Sequence, residues 1–138
     1  MIKIIALIKK RADLTAEQFR SHYENNHVNY GMRFFGHLFA EYRRNYPVSV
    51  TSFTARDEGK SQNSSEEGGC GYDVVTEIVL KDQLAVEELI KILDQPEVSK
   101  FLAEDEARFC DRAASKFVVC DVEQSLAYIQ WQPSVKVL

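Results

Sequence analysis

The sequence predicts an α+β protein built on a four-stranded antiparallel sheet, as three features of its hydrophobic pattern indicate. Four segments alternate between two faces with the period of a β-strand, and apolar residues between them recur at helical spacing. Their order is β-α-β-β-α-β with an extra helix before the last strand, which places the helices on one face of the sheet. Two strands carry apolar residues on both faces, so we expect a second copy of the chain to cover the open face. Pairing two such sheets across a two-fold axis would close a dimeric α+β barrel, and the sequence therefore predicts a homodimer.

The composition is that of one globular domain spanning residues 1–138. Hydrophobic residues make up 45% of the chain and charged residues 28%, a balance typical of soluble proteins. The net charge of −4, with acidic and basic residues interspersed, argues against a nucleic-acid partner. The apolar run from Ile4 to Ile8 is too short for a secretory signal or a membrane span, so we expect a cytoplasmic protein without a membrane partner. The three cysteines, Cys70, Cys110 and Cys120, lack a metal-binding spacing, and no metal site is expected.

The N-terminal part of the chain predicts a strand followed by a helix. Residues 2–9 are apolar on both faces, which is typical of a central strand. Thr15 then begins a helix, because Gln18 stands three residues later and completes a capping box. We expect this helix to run from about Ala16 to about His27.

This helix carries the residues on which the predicted site depends. Phe19, Tyr23 and His27 recur every four residues and so lie along one side of the helix. Burial of the first two against the sheet would bring His27 to the rim of the buried surface, where it could transfer protons. The alternative is a hydrogen-bonded histidine at the helix C-terminus, favoured by the helix dipole. We interpret His22 and His37 as surface or strand-end residues.

The next segment predicts an apolar, less regular connection over residues 27–36 and then a long strand from His37 to Thr51. Tyr42, Arg44 and Tyr46 share one face of that strand. Such a line would suit the wall of a polar pocket, although exposed tyrosines are also common on strands.

The remaining regular elements follow from periodicity. They are a strand over Tyr72 to Leu80, an amphipathic helix over Gln83 to Asp94, a helix from Glu97 to about Asp111 that begins after Pro96, and a strand over Lys116 to Glu123.

Two segments fit no regular element. Residues 52–71 are of low complexity, and the polar stretch from Arg56 to Gly69 has little to bury, so we expect a mobile insertion, with a functional cover as the alternative. The C-terminal segment from Leu126 to Leu138 is more apolar than a free terminus should be. It is expected to lie across the partner subunit or over the mouth of the barrel.

Several motifs together resemble the EthD family of dimeric α+β barrel proteins, whose fold is ferredoxin-like. They are Lys9-Lys10-Arg11, the segment from Leu14 to Phe19, Tyr23-Glu24-Asn25-Asn26-His27-Val28, Arg44-Asn45-Tyr46, and Asp105, Glu106 and Phe109 in a later helix. The resemblance extends from residue 2 to about residue 123. Asn29 departs from the family, in which a proline commonly follows soon after the histidine, so we expect the helix to end differently.

The resemblance implies cofactor-independent acid–base chemistry on an apolar, aromatic or polyketide-like ligand held in the barrel cavity. The family's namesake accompanies a cytochrome P450 system that degrades fuel ethers, and fungal relatives process aromatic polyketide acids. The reaction would be a decarboxylation, a cyclisation or an oxidoreductase-associated step, without a cofactor.

Residue types suggest how that chemistry could be divided. His27 would be the general acid or base, and Tyr23, Tyr42 or Tyr46 would donate a hydrogen bond to a developing oxyanion. Arg44 could hold a substrate carboxylate with its guanidinium fork, and Phe19 would contribute to ligand binding.

Two alternatives stay open at this point. The same cavity could belong to a non-catalytic ligand-binding accessory protein of an oxygenase or degradation pathway. A haem-binding protein is a third possibility, because one histidine can be an axial ligand of haem iron.

Overall fold

The computed structural model describes residues 2–57 and 69–125. The elements follow in the order β1 (Ile2–Ile8), α1 (Ala16–His22), a π turn (Tyr23–His27), α2 (Val28–Phe35), a 3-10 turn (Gly36–Leu38), β2 (Phe39–Asn45), α3 (Phe53–Asp57), β3 (Val74–Leu80), α4 (Gln83–Leu93), α5 (Pro96–Phe109) and β4 (Lys116–Asp121).

The four strands form one antiparallel sheet in the order β2-β3-β1-β4. β1 is central, and its Ile4 pairs with Ile78 of β3 on one side and with Val119 of β4 on the other. This order is the one expected of a split βαβ arrangement. The predicted α+β fold, which is ferredoxin-like, is therefore confirmed.

The core lies between the helices and one face of the sheet, in two clusters. The first joins α1, the π turn and the end of α5 to β1 and β3, through Ala6, Ile8, Phe19, Tyr23, Val28, Val74, Phe109 and Cys110. The second lies among α2, α4, α5 and β3, and consists of Phe35, Leu38, Leu80, Ala85, Val98 and Leu102. Neither cluster includes the partly exposed apolar residues of the opposite face, Ile5, Leu7, Val75 and Val118.

The first helix begins as predicted but does not end at His27. Thr15 and Gln18 form the expected capping box. The chain then widens into the π turn, in which the Val28 N–H donates to the carbonyl of Tyr23, and it continues as α2. Asn29 supports this continuation, because its side chain donates to the carbonyl of Asn25 at 2.7 Å.

One prediction about this region is consequently wrong, and one alternative is excluded. Residues 27–36 are helical and not an irregular connection, since side-chain and backbone hydrogen bonds carry the helix through the π turn. His27 is also not a histidine at a helix C-terminus, because eight further helical residues follow it.

β2 is shorter than predicted, covering Phe39–Asn45 in place of residues 37–51. Pro47 has no N–H to donate to a neighbouring strand, which limits the strand at that end. Phe39 pairs with Leu80 and Glu41 with Val79, so one residue is bulged out between them. The bulge turns the Phe39 ring toward Tyr42, whose ring it meets edge-on at 5.2 Å.

Parts of two predictions lie outside the described residues. Within the predicted insertion over residues 52–71, the structure adds the short helix α3, which begins where the Ala55 N–H donates to the hydroxyl of Ser52 at 3.0 Å. Residues 58–68 of that insertion and the apolar segment from Leu126 to Leu138 are among those not described. In the described part of the chain, no helix is long and apolar enough to cross a membrane.

Candidate active site

A cavity of about 570 Å³ lies between the helices and the sheet. Its wall is largely apolar, with side chains from β1, α2, α5 and β4, and this size and lining suit a small organic molecule. The polar groups of the wall are few; they include Tyr23, His27, Tyr42 and Thr76, and also Glu106, Arg112 and Lys116.

The π turn places two histidines on one carboxylate. His22 and His27 stand five residues apart, which in an α-helix would separate their directions by about 140°. In the wider turn, both rings reach Asp105 of α5. His22 Nε2 lies 2.9 Å from Asp105 Oδ1, and His27 Nδ1 lies 2.9 Å from Oδ2 of the same group. π turns of this kind often mark functional sites.

Asp105 is buried, with 1% of its surface exposed. Besides the two imidazoles, its carboxylate has the Arg108 guanidinium at 3.5 Å, one turn further along α5. The rings of His22 and His27 both pack against Phe109, with centroid distances of 5.1 and 5.0 Å. Hydrogen bonds and ring contacts thus fix both imidazoles from the same helix.

His27 has a second ring nitrogen that is not engaged by Asp105. Its Nδ1 is bonded to Asp105, and the residue lines the cavity. Among the residues that the structure describes, Nε2 of His27 has no hydrogen-bond partner. A neutral imidazole bonded in this way carries its hydrogen on Nδ1 and a lone pair on Nε2.

Tyr23 forms the floor of the cavity beside His27. It is 2% exposed, and its ring stacks between Phe19, at 6.0 Å, and His27, at 5.7 Å. The Tyr23 hydroxyl and the Thr76 hydroxyl lie 2.6 Å apart. Burial, followed by the neighbouring Tyr42, raises the pKa of Tyr23 far above its usual value, so the phenol stays neutral. If Thr76 donates to it, Tyr23 can donate in turn to the neighbouring Tyr42 hydroxyl or to an oxygen atom in the cavity.

Tyr42 faces the cavity from β2, next to a position of the helix that has no side chain. Burial raises the pKa of Tyr42, and this phenol also stays neutral. Gly31 of α2 stands opposite, and a Cβ at that position would lie 3.6 Å from the Tyr42 hydroxyl oxygen. The spacing of four residues thus continues from His27 through Gly31 to Phe35, and all three line the cavity. The glycine leaves the space that a side chain would fill.

Arg44 and Tyr46 bind Glu24, although the Arg44 guanidinium also lies 5.0 Å from the centre of the Tyr42 ring and donates to the Tyr42 carbonyl. Both Nε and Nη2 of Arg44 donate to the Glu24 carboxylate, at 3.1 and 2.9 Å, and the Tyr46 hydroxyl donates to the same carboxylate at 2.7 Å. The Arg20 guanidinium lies 4.1 Å from the centre of the Tyr46 ring. Neither Arg44 nor Tyr46 is among the residues that line the cavity. The guanidinium fork predicted for a substrate carboxylate is therefore occupied by Glu24.

Phe19 lies behind the cavity. It is 1% exposed and packs against the rings of Tyr23 and Phe109 in the core. It supports the cavity wall from the far side.

The sequence pattern did not predict the place of His22 or the carboxylate that joins it to His27. The interpretation of His22 as a surface residue is wrong, because its side chain is 24% exposed and bonded to Asp105. Asp105 was named among the residues that resemble the EthD family. The sequence did contain two histidines five residues apart and an acidic residue in a later helix. That combination was the available indication of a shared carboxylate.

Metal ligands are not grouped in the described ranges 2–57 and 69–125. No set of three or more histidine, cysteine, aspartate or glutamate side chains there is arranged to hold a metal ion.

Comparisons with known proteins identify a family and a fold. The family model of the EthD domain matches residues 11–113 of this chain. A search of curated protein sequences gives no significant match.

Three solved structures illustrate the similarity of fold. An EthD family protein from Bacillus halodurans is 16% identical, with 89% of this chain and 99% of that chain covered and a TM-score of 0.57. HapK from Hahella chejuensis is 12% identical, with 94% and 99% covered and a TM-score of 0.56. SnoaB from Streptomyces nogalater, described as a cofactor-independent oxygenase, is 12% identical, with 92% and 97% covered and a TM-score of 0.52. At these identities the likeness establishes the fold alone.

Proposed function

Because this chain belongs to the EthD family, we propose that it is a cytoplasmic, homodimeric enzyme that carries out cofactor-independent acid–base chemistry on an apolar or aromatic small molecule. The observation that carries the proposal is His27, whose Nδ1 is bonded to a buried carboxylate while its Nε2 is left for the cavity. A general base needs this arrangement, since one nitrogen must be oriented and the other must be free to take a proton.

The neighbouring hydroxyl groups suit the second half of such a reaction. When His27 takes a proton from a carbon next to a carbonyl group, negative charge moves to the carbonyl oxygen. The neutral phenols of Tyr23 and Tyr42 face the same cavity and can donate hydrogen bonds to that oxygen. Donors fixed in an apolar site stabilise a developing oxyanion more than donors in water do.

The family and one neighbour give general support. EthD membership extends over residues 11–113, which include His27, Tyr42 and Asp105. SnoaB shares the fold and is described as a cofactor-independent oxygenase. The proposal for this chain is limited to proton transfer at carbon, which decarboxylation, cyclisation and oxidation of an enolate all require.

Ligand contact is proposed for residues of the cavity wall only. Tyr42 stays a proposed ligand-binding residue, whereas Arg44 and Tyr46 are assigned to the ion pair with Glu24, and Phe19 to the core. Of the arginine and lysine side chains on the wall, Arg112 is paired with Glu106 at 3.2 Å, so Lys116 is the group that would attract an acidic substituent of the ligand.

The homodimer is supported by the second face of the sheet. Ile5, Leu7, Val75 and Val118 form an apolar surface there that neither core cluster covers. A second copy, related by a two-fold axis, would bury the same residues from both sides.

Deuterium exchange tests the proposed chemistry without a known substrate. The probe is 2-tetralone, a bicyclic ketone with an acidified benzylic carbon beside its carbonyl group. In D₂O, His27 would take the benzylic proton, the electron pair would move to the oxygen as an enolate, and a deuteron would return to the carbon. Proton NMR would then record loss of the benzylic signal faster than in buffer. A protein that binds 2-tetralone without accelerating exchange would be the accessory protein and not the enzyme.

A further inference from the structure

His22 and His27 share the carboxylate of Asp105, and this determines which ring nitrogen of each histidine carries a hydrogen. A carboxylate accepts hydrogen bonds and has none to donate, so both imidazoles must donate to Asp105. His22 therefore carries its hydrogen on Nε2, and His27 carries its hydrogen on Nδ1. In their neutral forms, these two rings have opposite tautomers although they share a partner.

Asn26 supplies an independent check on His22. Its side-chain Nδ2 lies 3.3 Å from His22 Nδ1. An amide nitrogen only donates, so His22 Nδ1 must be the lone-pair nitrogen, as the bond to Asp105 requires. A directed chain results, in which Asn26 donates to His22, His22 donates to Asp105, and His27 donates to Asp105 from the other side.

We propose that His22 and Asp105 are positioning residues that hold the lone pair of His27 Nε2 toward the cavity. This inference rests on the proposed function of His27 as the base, and it adds a reason for the π turn. With regular α-helical spacing, the two rings would point about 140° apart and could not share one carboxylate. The turn from Tyr23 to His27 brings both rings onto Asp105.

Asp105→Asn separates this arrangement from simple packing, because an amide keeps the shape of the side chain but has one oxygen. Asparagine can accept from one histidine only and must donate to the other. Because Asn26 fixes His22 as a donor through Nε2, His27 would have to accept through Nδ1. Its hydrogen would then move to Nε2, and the base would be lost from the cavity.

We expect a double variant to restore the wild-type tautomer of His27. His22→Phe keeps a ring against Phe109 but removes the competing donor. When it is combined with Asp105→Asn, the oxygen of the new amide becomes available to His27, which should return to the tautomer with hydrogen on Nδ1. His22→Phe alone should leave that tautomer unchanged, since Asp105 still accepts from His27.

The tautomers can be measured without a substrate by long-range ¹H–¹⁵N NMR of the imidazole rings. The chain has three histidines, and His37→Gln and His22→Phe assign their signals. We expect the hydrogen of His27 on Nδ1 in the wild type, on Nε2 in Asp105→Asn, and on Nδ1 again in the double variant. A wild-type His27 with its hydrogen on Nε2, or an Asp105→Asn variant without a change, would overturn the proposal even if other variants fail to fold.

Exchange kinetics on 2-tetralone give the second readout. Asp105→Asn should lower kcat by about tenfold or more at an unchanged KM, and the double variant should recover part of the loss, because a positioned base contributes about 10²–10⁴-fold. A loss of rate without the tautomer change would indicate a structural role and overturn the proposal. Since NMR needs no substrate, an inactive wild type with the expected tautomers would count against the proposed function and not against this assignment.

Discussion

The His27 imidazole and the Asp105 carboxylate are joined through Nδ1 and Oδ2 at 2.9 Å, in a place where the carboxylate is almost fully buried. The bond crosses from the π turn to α5, so the helical layer itself orients the ring. It leaves Nε2 free of Asp105 on a residue that lines the cavity, and the His27 ring packs against the rings of Tyr23 and Phe109.

Tyr23→Phe should lower both stability and exchange. The variant removes the hydroxyl that lies 2.6 Å from Thr76 in a buried position, which we expect to cost about 1 kcal/mol in the free energy of unfolding. It also removes a donor to the enolate oxygen, and the exchange rate on 2-tetralone should fall by about tenfold or more. Urea unfolding and proton NMR give the two values.

Tyr30→Phe is the matched control for Tyr23→Phe. Tyr30 packs edge-on against Phe101 at 4.8 Å, away from the cavity wall. Neither stability nor exchange should change appreciably. An equal loss of exchange in both variants would remove Tyr23 from the proposed mechanism.

Glu24→Gln should lower stability at neutral pH but not in acid. The hydrogen bonds from Arg44 hold the pKa of Glu24 below its usual value, so the folded state favours the charged form. That contribution is present above the unfolded pKa of about 4.3 and is lost as the pH falls through the lower folded pKa. We expect a difference of about 1 kcal/mol or less at pH 7, because solvent screens this partly exposed pair.

Urea unfolding at pH 7 and at pH 3 measures this effect. The stability difference between wild type and Glu24→Gln should shrink toward pH 3. Glu87→Gln, on the exposed side of α4, should show no such trend. A difference for Glu24→Gln that stays constant with pH would mean that shape and not charge governs the contact.

Gly31→Ala should stabilise the protein and narrow the cavity. Alanine in place of glycine inside a helix gains about 0.5–1 kcal/mol, and the new Cβ would meet the Tyr42 hydroxyl at an ordinary contact distance. Gly31→Leu should fill the cavity and weaken binding of 2-naphthol, measured by its fluorescence. Unchanged 2-naphthol affinity in Gly31→Leu would show that the ligand binds elsewhere.

Val118→Asp should dissociate the proposed dimer. Val118 is 38% exposed and lies on the sheet face opposite the helices, where a charge would have to be buried in the dimer. Val119→Asp is the matched control, because it changes the next residue of β4 on the other face. Light scattering should give a monomer for the first variant and a dimer for the second. A wild-type monomer at micromolar concentration would contradict the dimer itself.

Much of the fold could be predicted from local sequence patterns. Features such as the start of a helix depend on hydrogen bonds between residues that are close in the sequence. The capping box at Thr15 and Gln18 depends on four consecutive residues, and it forms as expected. The strand order follows from alternation and from the split βαβ arrangement, which leave few alternatives. The bulge near Phe39 was not visible in the alternation, because it depends on how β2 pairs with β3.

The candidate site was predicted only in part, because its geometry depends on contacts between distant segments. Tyr23 and His27 lie together on one side of the helical segment. A regular α-helical period, however, places His22 on a different side from His27. The π turn overrides that period. Arg44 was assigned to a ligand because nothing in the sequence pairs it with Glu24, twenty residues earlier.

The exchange rate of His27→Gln on 2-tetralone shows whether His27 is the base. Glutamine can still bond to Asp105 but cannot act as a base at neutral pH. We expect a folded variant with unchanged 2-naphthol binding and an exchange rate lowered by about 10²–10⁴-fold. If His27→Gln unfolds several degrees earlier but exchanges at the wild-type rate per folded molecule, His27 is a packing residue and not the base.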